Sequence, residues 1–493
     1  MYKIFKFSFL ALAAGSMLLQ GCSKDKIELS SEFNLDALTN PSSMSQVEQV
    51  LFGAFSGFRS GSYFGSGSGT GSGWGLMPDV LSDNLYETTE SLANSREMAE
   101  FLYSPNTTQI VGFYSAPYAV IANANIVLRD VDKFTTPANQ KMANRIKGQA
   151  YAIRAFAHFN LMQYFAPSFD RNSTTDLALH YSKEFLVSTE VRPTRMSNKD
   201  YYDNIFADLS QAVTLLGDVD KVINPGTNNV RPGIDLPTVH AMHARIYLYA
   251  KMYSEAITAA TNAISARPLV SSQAAYSGMY NQTNVGEIIW NVQFESGQSG
   301  PTFLVYFATV QRSYFRPAPE IATVSGTSGL IRNNDIRYAA FFSNVGGALA
   351  LTKYRGKGTA SDGNANFVVF KTGEMYLIRA EARARSGQDG PALADLNALR
   401  AARITGYVPV TGLSGAALLS EIADERRKEL VGEGHRFFDL KRTTKTLQRG
   451  SACGSALSVS GVCSLSSGAR EWAFPIPETV RNPNSNMTQN PGY

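Results

Sequence analysis

Apolar residues recur at helical spacing through most of the chain beyond residue 43. Met44–Phe58 follows a serine-rich lead-in and predicts a helix, and Ala119–Val131 predicts a second. From Gln140 to Phe165, the apolar positions Met142, Ile146, Ala150, Ile153, Ala157 and Leu161 form one stripe of a long helix, which Pro167 stops. Lys199–Leu216 predicts another helix, capped by Ser197 or Asn198 and ended near Gly217.

A pair of helices with a repeat grammar comes next. Leu236–Met252 and Ser254–Ala266 place Ala244, Tyr247, Ala256, Ala263 and Pro268 at the offsets of a tetratricopeptide repeat. Small alanines let two antiparallel helices approach, a tyrosine fills the groove, and proline ends the second helix. Phe370–Ser386 and Gly390–Arg403 repeat the relation through Ala380 and Ala392. The expected fold is therefore mainly α, a tetratricopeptide-like helical scaffold. Two stretches break the pattern. One is the Gly/Ser loop at 61–84, and the other is 268–369, where Glu287–Phe294 reads as a strand. Long irregular segments in a compact domain are often functional, so these two are the binding candidates, although the glycine loop also reads as a plain surface loop. The expected division is a helical region 44–267, an irregular small-strand region 268–369 and a C-terminal helical region 370–493.

The N-terminus follows a different rule. Lys3 and Lys6 precede an apolar run from Phe7 to Leu19, and Gly21-Cys22 follows. A basic start, a short apolar run and a small residue at the cut describe an export signal over 1–21. The run is short of the ~20 residues a membrane span needs. A cysteine at the first mature position is the thiol that bacterial lipoprotein processing acylates. Cys22 is thus the expected lipid-attachment residue, and 22–43 an acylated tether holding a soluble domain to a membrane.

Composition narrows the function further. Loss of the signal takes two lysines from a formal charge of +4, so electrostatics give no case for nucleic acid. Aromatics are plentiful, with 23 Tyr and 28 Phe, and rings near the surface suit the apolar faces of sugars. Cys453 and Cys463 bracket nine residues of an exported chain and are expected to form a local disulfide. No catalytic motif emerges. His240 and His243 sit one turn apart on a repeat helix and read as packing or capping residues. There is no His-Glu-x-x-His pair and no Gly-x-Ser-x-Gly elbow, and the glycine loop lacks the Gly-Lys-Ser/Thr ending of a phosphate loop. No two carboxylates are marked as facing one cleft, so a glycan-active enzyme stays an alternative without affirmative support. Neither a metal site nor a cofactor is expected.

Two C-terminal motifs are more specific. The first runs from Ile422 through Glu425-Arg426-Arg427-Lys428-Glu429 to Gly432-Glu433-Gly434-His435-Arg436-Phe437-Phe438-Asp439-Leu440-Lys441-Arg442. Its charges could form a solvated face or a buried ion-pair network; the network, locking the last helices to the repeats, is the favoured reading. The second is Phe474-Pro475-Ile476-Pro477, closing with Gln489-Asn490-Pro491-Gly492-Tyr493. Together with Gly148-Gln149-Ala150, Tyr376–Ala382 and Asp395–Arg400, they resemble the SusD/RagB-like outer-membrane lipoproteins, with Gln149 where glutamate is more usual. The resemblance implies an outer-membrane lipoprotein that captures oligosaccharides, or in some members peptides. It implies delivery of them to a SusC-like TonB-dependent barrel, without bond chemistry. It places ligand contacts on the loop after the first helix and in the irregular region. The matching residues here are Tyr63, Phe64 and Trp74, with Asp83 and Asn84 for hydroxyls, then Tyr314, Phe315 and Arg316. Trp74 is the leading candidate, and Trp290, inside the strand-like run, is expected in the core.

Overall fold

The computed structural model describes residues 39–66, 73–185, 191–226, 229–295, 297–298, 300–301, 305–307 and 310–493. Cys22, the signal 1–21 and most of the tether 22–43 lie outside them.

The helices pack largely in chain order. α1 (Met44–Gly57) is capped by the Ser43 hydroxyl, which accepts from the Gln46 amide, and buries Val47, Val50, Leu51 and Ala54. It packs on α2 (Thr108–Asp130), which packs on α3 (Gln140–Phe165), and α3 in turn on α4 (Asn198–Leu216). α2 begins eleven residues before the expected Ala119, because it runs through Pro117. A proline inside a helix removes a hydrogen bond and favours a stop. Here the preceding turn still forms, because Ile110, Phe113 and Tyr114 are buried.

α5 (Leu236–Tyr249) and α6 (Tyr253–Ala266) are joined by three residues, which forces them antiparallel. Ala244, Ala256 and Ala263 are fully buried, as the repeat grammar requires, while Tyr247 stacks between His243 and Phe206. α7 (Gln273–Asn281) follows, and then α8 (Thr372–Arg385) and α9 (Asp389–Arg403) form the second pair. Ala380 and Ala392 sit in a small core of their own with Leu377, Leu396, Leu399 and Leu418. The last of these comes from α10 (Gly415–Glu429), which is followed by α11 (Arg436–Arg442).

The strands are short and antiparallel. β1 (Leu85–Glu87) is one; β2 (Ile288–Val292) falls inside the expected run, and Trp290 is buried in it. Further along are β3 (Phe315–Pro317), the hairpin β4 (Phe342–Val345) and β5 (Ala348–Leu351), and β6 (Phe367–Lys371). β1 pairs with β3, and β2 with β6. Phe370, expected to start a helix, instead lies in the buried strand β6 opposite Trp290, and α8 starts at Thr372.

The charged motif is a buried network. On α10, Glu425 pairs with Arg337, Arg400 and Lys428, while Glu429 pairs with Arg337, Arg403 and Lys371. Burial works against the Glu425 charge, but Arg337, Lys428 and Arg400 outweigh it and hold that carboxyl at about 2. Beyond α10, Asp79 accepts from the amides of Gly432 (3.0 Å) and Gly434 (3.1 Å), tying this turn to the C-terminal part of the 61–84 stretch. Gly434 has φ +78°, and a Cβ there would lie 2.4 Å from the Gly75 carbonyl oxygen. Cys453 and Cys463 are joined in a disulfide.

Candidate functional site

The ring-bearing residues expected on the first loop fold inward. Tyr63, Phe64 and Trp74 are 0, 2 and 4 % exposed. Tyr63 stacks on Phe64, and Trp74 meets both edge-on and also meets Tyr164 of α3. The Tyr63 hydroxyl donates to Asn160 Oδ1 at 2.7 Å. These rings are core, so their expected role as open sugar platforms is corrected. Trp74 has few neighbours in sequence, but its partners come from far along the chain.

Asp83 and Asn84 are likewise spoken for. Asp83 accepts from Arg436 and pairs with Arg427, and those cations overcome the burial that would raise its pKa and hold it below the ordinary carboxylate range. Asn84 accepts from Arg427 and donates to Asp79. In the second region Phe315 is buried. Arg316 donates to the carbonyls of Val345 and Leu349 and pairs with Glu90, so neither is free to read hydroxyls. Tyr314 alone of the eight keeps a partly open side chain.

The structure brings a different set together. A cleft of about 390 Å³ opens between α1, the first half of α3, the residues Lys221, Ile223, Pro232 and Gly233, and β2 with the residues after it. That volume is in the range of small-ligand pockets, ~300–1,000 Å³. Its lip carries Phe52, 57 % exposed, with the half-buried Phe55 one turn on. Phe52 lies off the Val47–Val50–Leu51–Ala54 stripe that seats α1, which is why it stays outside. Behind the lip Phe58 meets Trp290 edge-on at 5.3 Å, and the indole donates to the Pro232 carbonyl at 3.0 Å.

Polar groups line the rest of the cleft. Arg145 of α3 is clamped by Glu48 and Asp220. Burial works against its charge, but these carboxylates prevail and raise its pKa. Gln149 donates to the Ile234 carbonyl, and Gln293 to Glu295. Asn291 of β2 accepts from the Arg231 amide at 2.8 Å. Its Nδ2 and the Nε of Arg59 are buried without a hydrogen-bond partner. The cleft thus combines an exposed aromatic face with fixed polar groups, the arrangement that grips a ligand by stacking and hydrogen bonds. A smaller cavity of about 170 Å³ beside α5 and α11 offers Arg385 and Arg442, but both are already paired with Glu381. Among the described residues, no group of three or more His, Cys, Asp or Glu is placed to hold a metal.

Paired helices carrying a cleft built partly by an irregular region define a ligand-capturing scaffold. Comparison with known proteins agrees on its kind. The chain matches the model of the SusD family over 326–493 and that described as "Starch-binding associating with outer membrane" over 77–248. It is 21% identical over 427 residues to a SusD-like protein of Formosa agariphila, covering 76% of this chain and 80% of the relative. Two solved structures align closely. A SusD superfamily protein of Bacteroides thetaiotaomicron has a TM-score of 0.76 at 22% identity, over 91% of this chain and 100% of the other. A SusD-like carbohydrate binding protein of Bacteroides vulgatus has a TM-score of 0.73 at 21% identity, over 90% and 97%. The chain belongs to the SusD/RagB-like family.

Proposed function

We propose that this protein is a glycan-binding outer-membrane lipoprotein that captures oligosaccharides and passes them, chemically unchanged, to a SusC-like TonB-dependent barrel. The observation that carries this reading is the cleft of about 390 Å³, with the exposed ring of Phe52 above unpartnered polar groups on its floor. A flat apolar ring covers a sugar face, and the donors below read its oxygens. The family description as starch-binding and outer-membrane-associated supports the ligand class and the location, as does the carbohydrate-binding neighbour of the same fold. Acylation of Cys22, with 22–43 as tether, supplies the anchor in this reading. The helical regions 44–267 and 370–493 form the scaffold, and the irregular region 268–369 contributes the β2 side of the cleft. Tyr314, still partly open, is a secondary contact.

Calorimetric titration against a glycan panel and a peptide panel tests the proposal. Wild type is expected to bind at least one glycan class with its mass unchanged after incubation, and Phe52→Ala to weaken that binding about tenfold, in line with losing one stacking contact of ~1.4 kcal/mol. Binding confined to peptides, or release of shorter sugars by the purified protein, would overturn it.

A further inference from the structure

Taking the glycan reading as its basis, we propose that the ligand of this cleft is acidic: an oligosaccharide whose carboxylate or sulfate sits against Arg59. Charge is unevenly balanced among the lining residues. Arg145 is satisfied, its guanidinium held by Glu48 (2.8 Å) and Asp220 (2.6 Å). Arg59, just past the end of α1, has no such partner. Its Nη2 donates to the Ser56 hydroxyl at 2.7 Å, and its Nε is buried with no acceptor. Among the described residues, no carboxylate pairs with it. Lys221, on the facing segment, has its ammonium 4.0 Å from Glu48, a carboxylate that Arg145 already occupies. Glu295, the other acid lining the cleft, accepts from Gln293.

The floor repeats the asymmetry. Asn291 is 1 % exposed, and its Oδ1 is used by the Arg231 amide while its Nδ2 has no partner. A buried amide donor left unpaired costs ~1–3 kcal/mol, so a built position of this kind points to an acceptor that arrives from outside. Among the described residues lining the cleft, the buried unsatisfied groups are Arg59 Nε and Asn291 Nδ2; both are donors, and one belongs to a cation. A neutral sugar hydroxyl can accept, but a carboxylate or sulfate accepts from several donors at once and neutralises the guanidinium in a charge-assisted bond. Phe52 is then the ring against which the sugar lies, and Arg59 selects the acidic residue within it.

Two matched probe pairs test this by calorimetry: oligogalacturonate against its methyl ester, and a sulfated galactan oligosaccharide against its desulfated form. Wild type is expected to bind one acidic member at least tenfold more tightly than its neutral counterpart, with the preference shrinking as salt rises. The oligogalacturonate arm identifies a carboxylate and the sulfated arm a sulfate. Arg59→Gln should abolish the preference by weakening the acidic member at least tenfold more than its neutral counterpart, and Arg59→Lys should keep part of it. Circular dichroism and unfolding midpoints confirm that both variants fold. If neutral and acidic members bind alike, with Phe52→Ala weakening both, the inference falls and the glycan reading stands. A preference that survives Arg59→Gln also overturns the inference. If no carbohydrate binds, the inference and the glycan reading fall together.

Discussion

Replacing Glu429 by Gln probes whether the buried charges of the C-terminal motif hold the fold together. The carboxylate contacts Arg337 Nη1 at 3.1 Å, Arg403 Nε at 3.1 Å and Nη2 at 3.0 Å, and Lys371 Nζ at 3.4 Å, and accepts from the Tyr276 hydroxyl at 3.0 Å. Breaking a buried pair by removing one partner costs ~3–5 kcal/mol, because a charge is stranded in a poorly polarisable interior. Here each stranded cation keeps one other carboxylate at least: Arg337 has Asp335 and Glu425, Arg403 has Glu287, and Lys371 has Glu433. Gln also keeps an acceptor for Tyr276. The expected loss therefore sits at the lower end, about 3 kcal/mol.

Urea unfolding followed by tryptophan fluorescence reads that loss, and a cycle with Arg403→Met should show the two changes to be less than additive. The pH dependence gives a second reading. Arg403, Lys371 and Arg337 outweigh the burial of Glu429 and lower its pKa in the folded protein. The stabilisation is then complete above the unfolded carboxyl's pKa and fades as acid approaches the lowered folded value. The gap between wild type and Glu429→Gln should stay constant from neutral pH down to about 5 and narrow below that. A loss under about 1 kcal/mol, comparable with an exposed pair, would refute the structural role of the network. Lys141→Met, which breaks the exposed contact to Asp218, should be indistinguishable from wild type.

Two further perturbations address the same framework. Lys441 is buried, donates to the carbonyls of Gln163 and Ala166 at the end of α3, and has no carboxylate partner among the described residues; burial lowers its pKa to about 7. Its folded value lies below the unfolded one of 10.5, so its contribution is complete above that pH and lost as pH falls toward 7. Wild type should gain on Lys441→Met by several kcal/mol between pH 7 and 10 in urea melts, and a constant difference would refute the assignment. Gly434→Ala forces a side chain into a left-handed turn and against the Gly75 carbonyl, so a stability loss above about 2 kcal/mol is expected. An unchanged melting temperature would contradict that geometry.

Local pattern was enough to reveal the scaffold but not the site. The long stripe from Met142 to Leu161 marks α3 because residues three and four apart share one face of a helix. Ala244 and Ala256 mark a helix pair because only small residues allow that approach. The expected start of α2 at Ala119 falls late, since packing of Phe113 and Tyr114 carries the helix through Pro117 against a local preference. Phe370 misleads in the same way, since its strand exists only opposite Trp290, eighty residues earlier. The binding residues fail for a related reason. Glycine neighbours suggest an exposed Trp74, but Tyr164 and Phe438, distant in sequence, bury it. Phe52 did leave a trace: it is a large aromatic one residue off the apolar stripe of α1. Arg59 and Asn291 left none, because lacking a partner is a property of the folded surroundings.

The most direct test of the central claim is a crystal structure of the protein with an oligosaccharide bound. A sugar ring is expected against Phe52, with centroid separations of roughly 4.5–7 Å, an acceptor oxygen at Asn291 Nδ2 and every glycosidic bond intact. A ligand seated elsewhere with the cleft empty, or a cleaved product in the cleft, would contradict it.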